Sequence, residues 1–61
     1  MLQFLHVNGE DVIYINPHQV VAVRGTFNYD AKCQIYTVGD EVPWPVKGSA
    51  AEAQLRVWKA L

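Results

Sequence analysis

Backbone breakers constrain this sequence more than any chemically reactive residue does. Asn8-Gly9, Asn16-Pro17, Gly25, Gly39-Asp40 and Gly48 leave only short runs between them up to position 48. Asn-Gly is a strong two-residue hairpin signal. Proline lacks a backbone donor and biases the preceding residue away from helix. The runs between these signals are rich in β-branched and aromatic residues, which suit strands. Leu2–Val7, Asp11–Asn16, Gln19–Arg24, Lys32–Val38 and Glu41–Lys47 therefore read as five strands. The first two should pair antiparallel across Asn8-Gly9. Residues 25–31 read as a hairpin loop of middling length. In the fourth run Cys33, Ile35 and Thr37 share one face, and Gln34, Tyr36 and Val38 the other.

The fifth run holds a tryptophan between two prolines, Pro43-Trp44-Pro45. Alternate strand residues direct their backbone groups to the same edge. Pro43 and Pro45 thus leave one edge without donors, while residues 42, 44 and 46 keep theirs and can pair with the fourth strand. The segment reads as an edge strand protected against further pairing. Trp44 is then a core residue beneath a helix or, if exposed, an interface anchor.

From Ser49 onward the pattern changes. Ser49 stands three residues before Glu52, the spacing of a capping box, and the residues from Ala50 to Leu61 are good helix formers. At about 100° per residue, Ala51, Leu55 and Trp58 form one stripe with Leu61 on its flank. This stripe is expected to pack on the sheet. Ala50, Ala53, Val57 and Ala60 cluster on the opposite side, where a surface helix usually carries charge. They read as a self-association face.

At 61 residues the chain is one small domain, and a domain of this size buries only about 60% of its unfolded surface. A single cysteine, Cys33, excludes an internal disulfide and suits a reducing compartment, so a cytoplasmic location is expected. The first ten residues lack a basic n-region, so no signal peptide is expected, and no apolar run approaches the ~20 residues that span a bilayer. A net charge of −1 gives no general pull toward nucleic acid or anionic membrane.

The chemistry-bearing residues do not form a recognisable site. His6, His18 and Cys33 are the plausible soft metal ligands, without the spacing of a metal motif. Ser49 is accounted for as a helix cap, and Cys33 as a small core residue. No glycine-rich phosphate loop is present. No metal, cofactor or catalytic residue is assigned, and an enzyme is not expected. Arg24, Phe27, Tyr29 and Lys32 bracket one loop, and single-strand nucleic-acid binders mix basic and aromatic residues in this way. With Trp44, these are the candidate contacts to a partner or to nucleic acid.

The stretch Val7–Val23, with Asn8-Gly9, Tyr14-Ile15-Asn16 and Val20/Val23, resembles the N-terminal half of small bacterial flagellar and swarming-motility proteins of the FlbD type. Gly39-Asp40 and Ser49 would correspond to a later turn and a helix start, so the likeness spans nearly the whole chain. Those proteins usually have a shorter central connection and a more charged final helix. The same pattern is similar to part of the LytTR DNA-binding domain, which is longer. The resemblance implies a bacterial origin and a sheet-plus-helix architecture.

Together these readings predict an α+β fold: a small antiparallel five-stranded curved sheet, a barrel-like meander, with one C-terminal helix. The expected core is Leu5, Val7, Ile13, Ile15, Val21, Val23, Ile35, Trp44, Leu55 and Trp58. The expected function is that of a non-enzymatic protein-interaction module, an adaptor or regulator that forms a homo-oligomer. The alternative is a small nucleic-acid-binding regulator using the 24–32 loop.

Overall fold

The computed structural model describes residues 1–26 and 29–61, and of Tyr29 the backbone alone. Its elements are β1 (Leu2–Leu5), β2 (Val12–Ile15), a 3-10 turn (Pro17–Gln19), β3 (Val20–Thr26), β4 (Tyr29–Thr37), β5 (Trp44–Lys47) and α1 (Ala50–Ala60). The fold is α+β, as the sequence predicts. The five strands, however, form a two-stranded antiparallel sheet, β1-β2, and a three-stranded one, β3-β4-β5, with no closed barrel.

The prolines explain this division. In an antiparallel ladder each residue points its N–H and C=O to one side, alternating along the strand. The Pro45 carbonyl accepts from the Val7 N–H at 3.3 Å, so position 45 faces away from β4 while 44 and 46 face it. Trp44 accordingly pairs with Ile35, and Val46 with Cys33, on the edge that keeps its donors. The other edge meets β1 at a single bridge, His6 opposite Val46. Pairing goes no further there, because Pro43 and Pro45 have no N–H to donate. The same residues that protect the strand also interrupt the predicted continuous sheet.

The β1-β2 connection is longer than a two-residue turn. Position 6 closes it, its N–H donating to the Asp11 carbonyl at 2.8 Å. Asn8 works through its side chain: Oδ1 accepts from the N–H groups of Glu10 (2.8 Å) and Asp11 (3.1 Å), and Nδ2 donates to the Asp11 carboxylate (2.8 Å). Gly9 takes the left-handed conformation at φ 78°. Asn16 similarly accepts from the His18 N–H at 3.0 Å and caps the 3-10 turn. Between β3 and β4 the expected loop contracts, since strand pairing runs out to Thr26 opposite Tyr29. Phe27 and the Tyr29 side chain lie outside the described residues.

The core consists of Phe4, Ile13, Ile15, Cys33, Ile35, Val46 and Ala53, joined by Val57 beneath the helix. Ile13, Ile15 and Ile35 are buried as predicted, Val23 packs partly against them, and Val7 is half-buried. Leu5, Val21, Trp44, Leu55 and Trp58 are exposed, against expectation. Strand register accounts for Leu5: Phe4 and Ile13 form one inward pair, so the adjacent Leu5–Val12 pair faces out.

Helix rotation accounts for Leu55 and Trp58. Ser49 caps α1 as expected, its Oγ accepting from the Glu52 N–H at 3.1 Å. The helix then packs so closely that a Cβ built on Gly25 would lie 2.6 Å from the Ala50 Cβ. Such a gap admits small side chains and no tryptophan. Ala50, Ala53 and Val57 therefore turn inward, and the larger Leu55 and Trp58 turn out. Arg56 fixes the rotation from the β1 side. Its guanidinium donates to the Gln3 carbonyl at 2.6 Å and stands 4.3 Å from the centroid of the Phe4 ring.

Candidate interaction surfaces

Two of the reactive side chains, Cys33 and His6, are already engaged in structure. Cys33 is buried, and desolvation pushes its thiol pKa above the ordinary value, against thiolate chemistry. His6 Nδ1 accepts from the Asn8 N–H at 3.0 Å, and His18 lies exposed in the 3-10 turn. Among the described residues no three His, Cys, Asp or Glu side chains gather into a metal-binding group. No described helix is long and apolar enough to cross a membrane.

Two surfaces stand out instead. The first is the outward side of α1 with the neighbouring edge of β3. Leu55 is 49% exposed, Trp58 65%, Leu61 64%, and Val21 on β3 67%. A cleft of about 300 Å³ runs between helix and strand, lined by Val20 to Val23, Val57 and Trp58 among others. This is the reverse of the predicted self-association face. Ala53 and Val57 are buried against the sheet and Ala50 is half-buried, leaving Ala60 as the exposed member of that set. The misassigned residues carried a signal in their size. Placing the large side chains inward overlooked that alanines can mark a close approach as well as a free face.

The second surface is the sheet face away from the helix. Val23 and Ile35 point inward, so their neighbours Arg24 and Gln34, which pair across strands, point outward with Pro45 alongside. Lys32 lies opposite Lys47 in the next row. Position 47 faces away from β4, as 45 does, so this is a non-hydrogen-bonded pair, the type with the shortest Cα separation of about 4.5 Å. Arg24, Lys32, Gln34 and Pro45 line a cleft of about 340 Å³ with Val7 and Gly25. The structure thus brings Arg24 and Lys32 onto one face and adds Lys47, which sequence spacing did not single out. Trp44 stands apart. It shares the inward row with Ile35, yet at the end of β5 it is 38% exposed, its indole N–H donating to Asp40 Oδ2 at 3.2 Å.

No protein-family model matches the chain, and neither a curated protein nor a solved structure matches it at a significant level.

Proposed function

We propose that this protein is a small non-enzymatic interaction module, an adaptor or regulator of a bacterial cytoplasm that self-associates. The observation that carries the reading is the wide exposure of Leu55, Trp58 and Leu61 on one helix, continuous with Val21 of β3. Single exposed apolar residues need no explanation, but a contiguous patch with a tryptophan marks a contact surface. The small interior agrees, since a domain of this size gains stability from a partner. The cytoplasmic setting is supported by the lone thiol and the bacterial origin by the FlbD-type resemblance. Light scattering over a concentration series tests the proposal. The wild type is expected above monomer mass and Trp58→Glu at monomer mass with an unchanged circular dichroism spectrum. A wild-type monomer at every concentration would overturn it.

A second reading, binding of single-stranded nucleic acid, has one specific support. Arg24 and Lys32 line one cleft on the outer sheet face, and Lys47 pairs with Lys32 by backbone register. Two cations on one cleft suit the phosphates of a nucleic-acid backbone. Binding by this face would weaken as salt rises. Absence of binding to an oligonucleotide at low salt would dismiss it.

A further inference from the structure

We propose that two copies of this chain join through β3, edge to edge and antiparallel, forming a six-stranded sheet with the two α1 helices side by side across the dyad. This inference rests on the self-association reading and gives it a geometry.

The edge is the first argument. β3 is a terminal strand of its sheet. Its direction of pairing follows from β5. Because 44 and 46 face β4, residues 33 and 35 of β4 face β5, and residues 34 and 36 face β3. Arg24 and Ala22 are thereby engaged with β4, whereas the N–H and C=O groups of Val23 and Gly25 point away from the sheet. No proline blocks this edge, unlike that of β5. Register shifts at Val20/Ala22 and Gly25/Thr26 confine the straight part to Ala22–Gly25. They also select a register. A dyad at Arg24 would oppose two guanidinium groups, whereas a dyad at Val23 places Arg24 opposite Ala22 of the second copy and bonds Val23 to Val23.

The helix is the second argument. Arg56 marks the side of α1 turned toward β1. At about 100° per residue, Ala51, Gln54, Trp58 and Leu61 fall on the other side, toward the open edge. Gln54, Trp58 and Leu61 line the cleft beside β3. That side carries no charge, while Glu52 and Lys59 lie elsewhere on the helix. The residue steps of three, four and three are those of a helix-packing seam. Spacing agrees as well. The helix lies over both β3 and β4, so with strands about 4.8 Å apart its mate would stand about 10 Å away, close to the 8–10 Å of packed helices. Trp58 of each copy would then enter the cleft of the other, a self-complementary contact of the kind a two-fold requires. Trp58, Leu61 and Val21, 64–67% exposed in the single chain, would be covered together with the edge backbone, an apolar contact at the small end of the range for specific interfaces.

Amide hydrogen exchange by NMR tests this on the unmodified chain, with light scattering on the same samples. A dimer whose Val23 amide slows by up to about tenfold across a hundredfold rise in concentration is expected, by mass action. A dimer whose Val23 amide exchanges at the same rate throughout, or whose new protection falls on β2, the other terminal strand, would overturn the edge geometry and leave self-association standing. A monomer at every concentration would overturn both.

Discussion

Gly25 shows how one missing side chain sets the geometry of a small domain. Its backbone is ordinary extended strand, so conformational freedom does not explain the glycine. Contact does, since an added Cβ would fall 2.6 Å from the Ala50 Cβ. Helix and strand would have to separate, and overpacking of this kind costs about 1–3 kcal/mol. Gly25→Ala is therefore expected to lower unfolding stability by that amount in a denaturant titration, although alanine is ordinarily the better strand residue. Adding Ala50→Gly should restore part of the loss, because the two positions share one contact. Equal losses from Gly25→Ala with and without Ala50→Gly would refute the contact. Sequence alone gave Gly25 the role of a strand terminator. That it lies within β3 beneath the helix depends on tertiary approach, which no local pattern encodes.

At the scale of elements, what could be read from the sequence was whatever local chemistry determines. The Ser49 cap, the pairing of β1 with β2 and the choice of edge on β5 each follow from a few neighbouring residues, and each is found in the structure. Helix rotation was not legible. Its two apolar sides differ in size rather than hydrophobicity, and the narrow gap over Gly25 selects the smaller. The split of the sheet was legible only in part: the donors missing at Pro43 and Pro45 were evident, but not that β1 would be the strand left without them. For the same reason the candidate contacts were only partly gathered, Arg24 and Lys32 sharing a face with Lys47 while Trp44 stands apart. The rotation has a direct check. Val57→Glu places a carboxylate among buried side chains and is expected to cost about 3 kcal/mol or more. Leu55→Glu, at an exposed site, should change the stability of the isolated fold by no more than about 0.5 kcal/mol. The reverse ranking, measured in dilute solution, would mean that the helix packs by its leucine and tryptophan side.

For the molecule as a whole, the decisive balance is between a core of small and medium side chains and a surface that keeps both tryptophans at least partly wet. A 61-residue chain has few ways to offset the conformational entropy lost on folding. Burying Trp58 and Leu61 against a second copy would add apolar area that the single chain leaves in water, and folding would become coupled to association. Such coupling has a thermodynamic signature. If native dimer unfolds to two free chains, a tenfold rise in concentration adds about 1.4 kcal/mol per dimer, or about 0.7 per chain, by mass action. In a domain of this size 1 kcal/mol corresponds to about 4–8 °C, so Tm should climb by about 3–6 °C for each tenfold increase in protein. Trp58→Glu should remove that slope without abolishing the transition, leaving a Tm that is lower and independent of concentration. A wild-type Tm that stays constant over the same range would mean that the exposed tryptophan contributes nothing to holding the folded chain together.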